Sequence, residues 1–135
     1  MNQLHSDLEA VSRALQDVHK QIVEAERPHG SSRERVALLD LLLHDPDWAW
    51  LRALSKLIAD LDEALDQDTE LTPREAEAAA SHVRGLVFGI GEARDEAFLE
   101  RYRPLLQKSP GLASAHGELK RLVEALPPRT AAKRH

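Results

Sequence analysis

Residues 3–26, QLHSDLEAVSRALQDVHKQIVEAE, decide how the rest of the chain is read. Their apolar positions Leu4, Leu8, Val11, Leu15, Val18 and Ile22 recur in steps of four and three, which places them on one face of an α-helix. Gln, Asp, Glu, Arg and Lys fill most of the other positions, so the apolar stripe is narrow. Three heptads of this kind suit a helix inside a bundle or a coiled-coil seam that meets a second chain. Pro28 and Gly30 close the segment.

Outward from this stripe every periodic segment has helical spacing. Ser31-Ser32-Arg33-Glu34 opens a short second helix whose Val36, Leu38, Leu39, Leu41, Leu42 and Leu43 leave little polar face, the pattern of a buried element. Asp45-Pro46 stops it and starts a third over 46–65. Asp45 suits the N-cap, Pro46 the first helical position and Asp47 the positive end of the dipole. Trp50, Leu54, Leu57, Ile58, Leu61 and Leu65 form its inner face. Thr72-Pro73-Arg74-Glu75 reads as a capping box that begins a fourth helix, with Ala76, Ala79, Ala80, Val83, Leu86 and Val87 inward and Gly89-Ile90-Gly91 as its stop. A fifth over 92–108 carries Phe98, Leu99, Tyr102, Leu105 and Leu106, with Pro104 as an expected kink. Ser109-Pro110 caps a sixth, with Leu112, Ala115, Leu119, Leu122, Val123 and Leu126 inward, and Pro127-Pro128 ends it. The expected fold is all-α: a helical bundle of four long helices plus one or two short ones, forming a single domain over 1–126 with a flexible basic tail over 127–135.

Composition narrows the function. The chain has 135 residues, 42% hydrophobic and 30% charged, as in an ordinary globular domain. It has no Cys, which excludes disulfides, thiolate nucleophiles and Cys-ligated metal sites. The net charge is −5, but three of the 18 basic residues, Arg129, Lys133 and Arg134, lie in the tail, leaving 15 against 23 acidic residues and a body at −8. Such a body lacks the basic footprint of a nucleic-acid binder, and aromatics for base stacking are scarce at 4%. No apolar run approaches the roughly 20 residues of a membrane span, and residues 1–7 have no secretory pattern. The expected address is the cytoplasm, with neither nucleic acid nor membrane as a partner.

Candidate chemistry is sparse. Asp66, Asp68, Glu70, Thr72, Arg74 and Glu77 fall at the ligand positions of a calcium loop, yet Leu71 stands where glycine is needed, and the helix cap reads better. The seven histidines show neither zincin nor di-iron spacing, and His5 and His19 read as surface residues beside the stripe. No Gly-x-Ser-x-Gly elbow or phosphate-binding glycine loop occurs. His116 differs, because Leu112, Leu119 and Val123 share its face, so it is expected in the core with a hydrogen bond. Asp62 shares a side with Leu51, Ser55, Ile58 and Leu65 and would need a partner such as Arg103, Tyr102 or His116. Arg52, ten residues earlier, would join such a network only through an intermediary. Trp48 and Trp50 point to opposite sides of one helix, so Trp50 faces inward, and Trp48 either packs under the second helix or anchors a partner.

Residues 44–63, HDPDWAWLRALSKLIADLDE, resemble the signature stretch of a small bacterial family of helical proteins of unknown function. Phe98, Arg101-Tyr102, Leu106-Gln107 and Ala115-His116 are similar to that family's second half. The resemblance implies an all-α bacterial domain, carries no activity, and points to Trp50, Arg52, Asp62, Tyr102 and His116 as positions to test. The leading expectation is a non-enzymatic protein-interaction or homo-oligomerising module. Its homodimer interface would be Leu4, Leu8, Val11, Leu15, Val18 and Ile22 or the Trp48 surface, a further protein partner is open, and no cofactor is called for. The alternative is a small-ligand or metal-binding bundle using Asp62, Tyr102 and His116.

Overall fold

The computed structural model describes residues 3–26, 46–67 and 71–126. Over these the chain is helical: α1 (Gln3–Glu26), a 3-10 turn (Pro46–Leu51) leading into α2 (Arg52–Leu65), α3 (Pro73–Val83), a single π-helical turn (Arg84–Phe88), α4 (Glu96–Lys108) and α5 (Pro110–Glu124). No strand occurs among the described residues, and no helix of theirs is long and apolar enough to cross a membrane. The all-α bundle read from the sequence is therefore the fold. The expected short helix over 31–43, the Asp45 cap, Asp68, Glu70 and the tail over 127–135 lie outside the described residues.

α1 lies at the centre of the bundle, packed chiefly against α5 and then α2. Leu8, Val11, Leu15, Val18 and Ile22 are 1% exposed or less, and Leu4 is half-buried. The stripe expected as a homodimer interface is core in the single chain. The buried arc of α1 is wider than the apolar stripe itself. Ser12 and Ala14 are buried as well, so two flanks of α1 are covered at once, one for each neighbouring helix. A strict coiled-coil seam would be narrower.

Local chemistry places the helix ends. Thr72 Oγ1 accepts from Glu75 N at 3.1 Å and Glu75 Oε1 accepts from Thr72 N at 3.0 Å, the reciprocal capping box expected at that position. Ser109 accepts from Leu112 N and joins α4 to α5 through one residue. Two boundaries differ from expectation. Residues 46–51 form a 3-10 turn instead of α-helix, a common tightening at a helix start. α4 begins at Glu96, because the Asp95 side chain accepts from Phe98 N at 3.1 Å and Asp is the better cap. Before it the chain turns through Gly89 and Gly91, at φ of 70° and 95°, a region open to glycine. α4 runs through Pro104 as one element. The Glu100 carbonyl that loses its donor there is on the exposed side, where water can satisfy it.

The last turn of the fourth predicted helix widens into the π-turn where Gly85 meets the 91–95 loop. A Cβ on Gly85 would sit 2.5 Å from the carbonyl carbon and the Cβ of Ala93, whereas one on Gly117 in α5 would meet nothing within 4 Å. Gly85→Ala is expected to lower the urea midpoint strongly by forcing the loop away. Gly117→Ala is expected to raise stability by about 0.5–1 kcal/mol, the helix-propensity difference. Urea denaturation of both variants checks the contrast, and equal effects would contradict it.

Candidate functional site

Four aromatic contacts run through the bundle from the 3-10 turn to the π-turn. Trp50 is half-buried and tilts against Phe98 with ring centroids 5.4 Å apart, and Phe98 stacks on Tyr102 at 5.2 Å. Tyr102 meets His116 at 5.7 Å, and Phe88 stands edge-on to His116 at 5.0 Å. Arg101 lies 5.7 Å over the Trp50 ring. Phe98 and Tyr102 reach the core because they are four residues apart on the inner face of α4.

Tyr102 Oη and His116 Nδ1 are 2.7 Å apart. The Tyr102 side chain is fully buried, and burial pushes its hydroxyl well above the usual phenol range, so it stays protonated. His116 is half-buried. Desolvation, with the Lys120 ammonium adding to it, holds its ring below the ordinary value of 6.5. A neutral imidazole has one donor and one acceptor nitrogen. If His116 Nδ1 carried the proton, the buried tyrosine hydrogen would have no acceptor among the described residues, which costs about 1–3 kcal/mol. Tyr102 therefore donates to Nδ1, and Nε2 of the half-exposed ring carries the N–H.

This pair sits in a pocket of about 280 Å³ between the π-turn, α4 and α5. Val87, Phe88, Leu106 and Val123 supply apolar surface, and Ile90, 59% exposed, is the large hydrophobic residue left on the outside among the described residues. Arg84, Arg103, Lys120 and Glu124 supply the charges. Arg84 Nη1 donates to Glu77 Oε1 at 3.2 Å. Among the described residues, neither Arg103 nor Lys120 has a carboxylate within 4.0 Å. An apolar cavity with a few convergent polar groups is the usual form of a small-molecule site.

Asp62 lies elsewhere. Ser12 Oγ, buried on α1, donates to Asp62 Oδ1 at 2.6 Å, and Gln16 Nε2 donates to Ser12 Oγ at 3.3 Å. The expected partnership of Asp62 with Arg103, Tyr102 or His116 is replaced by this bond, because α1 lies alongside α2 and brings Ser12 to Asp62. The single network therefore splits in two. Arg52 is exposed. Of the candidate residues, Tyr102 and His116 are brought together. Trp48 has its backbone in the 3-10 turn, and its side chain lies outside the described residues.

The histidines read as surface residues turn out to tie α1 to α2. His5 Nε2 donates to the Leu65 carbonyl at 2.9 Å, and His19 Nε2 is 3.0 Å from Ser55 Oγ. Beside His5 runs a groove of about 640 Å³ bordered by Glu9, Arg13, Gln16, Asp62 and Glu63. It is larger than the Tyr102 pocket but shallow and wide open to solvent, so it offers a ligand little desolvation. Among the described residues no three His, Asp or Glu side chains converge as metal ligands. Sequence reasoning passed over Ser12, although a serine four residues from Leu8 on the apolar stripe was a visible signal. It also passed over Phe88 and Arg84, which the π-turn after α3 brings to the His116 pocket, and Lys120, which the i,i+4 spacing on α5 already places beside His116.

Burial lowers the His19 pKa as well as that of His116. Below about pH 6.5 the unfolded chain then binds protons that the folded chain refuses, so stability is full above that value and is lost as pH falls through the lowered folded values. Urea midpoints measured between pH 7.5 and 5.5 are expected to fall below pH 6.5, and less so in a His19→Gln, His116→Gln variant; a flat wild-type profile would contradict the burial of both rings. Comparison with family models, curated protein sequences and solved structures gives no match to this chain.

Proposed function

We propose that the protein is a non-enzymatic binding module whose site is the pocket around Tyr102 and His116, and that its ligand is a small molecule. The observation that carries this reading is the hydrogen-bonded Tyr102–His116 pair set in a mainly apolar cavity with charged side chains among its lining residues. Structural polar pairs in cores are normally enclosed. Here the histidine is half-exposed and lines the cavity. The cavity, at about 280 Å³, lies just under the usual range of about 300–1,000 Å³ for ligand pockets, so the ligand is compact. The site lies beside a π-helical turn, a distortion that often accompanies functional positions.

Pairing of two chains, the reading that the α1 stripe suggested, draws no support from that stripe once it is covered by α2 and α5. The ligand reading uses Tyr102 and His116 without Asp62. A fragment screen by two-dimensional amide NMR on the full chain tests it. Shift changes are expected to gather on Val87, Phe88, Leu106, His116 and Val123, and to weaken in Tyr102→Phe, which frees His116 Nδ1. Shifts gathered on the α1–α2 groove, or no shifts at all, would overturn the proposal.

A further inference from the structure

We infer that the pocket accepts a small hydrocarbon carrying one carboxylate, with the carboxylate at the Arg103 and Lys120 rim and the hydrocarbon against Phe88, Leu106 and Val123. The inference rests on the ligand-binding reading above and specifies its chemistry. Three observations converge on it. The first is charge. The body of this protein is strongly acidic, yet the pocket carries three cations and one acid, Glu124. Arg84 is already held by Glu77. Arg103 feels the Glu96 carboxylate only at longer range, and with no carboxylate of the described residues within 4.0 Å of either, Arg103 and Lys120 are the two cations placed to meet an incoming anion.

The second is hydrogen bonding. With Tyr102 donating to Nδ1, His116 offers a donor at Nε2 and no acceptor. Arg103 and Lys120 also only donate, so a ligand that accepts is favoured over one that donates. The third is size and polarity. Phe88, Leu106 and Val123 present apolar surface, and the cavity has room for a short chain or one ring but not for a bulky polyanion. A single carboxylate matches two cations partly offset by Glu124 in the lining and by Glu96 at longer range, since Arg and Lys both bind such oxygens through charge-assisted bonds.

Isothermal titration of the full-length protein with hexanoate, hexan-1-ol and hexylamine, at one pH and ionic strength, tests the inference. Hexanoate is expected to bind at least tenfold more tightly than hexan-1-ol, and hexylamine more weakly than either. The double variant Arg103→Gln, Lys120→Gln removes exposed charges and is expected to keep the wild-type melting temperature within a few degrees. It should lose about tenfold in hexanoate affinity and keep its hexan-1-ol affinity. Equal binding of hexanoate and hexan-1-ol, preference for hexylamine, or a double variant with unchanged discrimination would each overturn the carboxylate assignment while leaving a ligand pocket standing. Binding of none of the three, with fragment hits still at the pocket, would also overturn it. Loss of the fragment hits themselves would remove the ligand-binding reading beneath it.

Discussion

The structure depends on keeping two flanks of α1 dry at once. Leu8, Val11, Leu15, Val18 and Ile22 are nearly inaccessible, and removing apolar area of this kind from water is the main favourable term in folding. Because α2 and α5 cover different flanks, neither can move without baring part of the same helix. Ser12 belongs to this constraint. A hydroxyl on the apolar stripe would carry a desolvation penalty if unpaired, and its bond to Asp62 removes that penalty while fixing how α1 and α2 slide past each other. His5 and His19 hold the same pair of helices toward its two ends.

The aromatic contacts extend this order to the other side of the bundle. Trp50, Phe98, Tyr102, His116 and Phe88 come from four different elements, so each ring fixes the position of the next. Packed aromatic pairs contribute about 0.5–1.5 kcal/mol each beyond the area they bury. The contacts pass through the fully buried Phe98 and Tyr102 and reach the half-exposed His116 on the pocket wall. The orientation of His116 is thus set from within by Tyr102, which is the form of support a binding site needs to hold a polar group in place.

Much of the fold was legible in the sequence. Thr72-Pro73-Arg74-Glu75 and Ser109-Pro110 announced helix starts through side chains that bond their own neighbours, and such local chemistry does not depend on the rest of the chain. The inward faces of α2, α4 and α5 followed from spacing alone. What stayed hidden was long-range. Whether Leu4 to Ile22 face a second chain or the same one is decided by helices distant in sequence, and periodicity is identical in both cases. Tyr102 and His116 were both candidates on separate helices; their contact requires the tight Ser109 junction that folds α5 back on α4. Asp62 was assigned the wrong kind of neighbour because a serine on an apolar stripe carries less weight in a pattern than a tyrosine or a histidine. The boundary at Asp95 was missed for a simpler reason: Glu92 also fits a first turn, and the competition between two acids is settled by side-chain length.

The main partner of α1 lies far along the chain. Roughly 80 residues separate the end of α1 from the start of α5, whereas α4 and α5 are joined by Ser109 alone. Closing so long a loop costs entropy that grows only slowly with its length, so the arrangement is tolerable at equilibrium. Kinetically it is demanding, because the helix that supplies the centre of the core must find its place through contacts distant in sequence, the class that slows folding. Until α1 docks, the apolar face of the α4–α5 hairpin stands open to water and to other chains. The interval before that docking is when this protein is most exposed to aggregation.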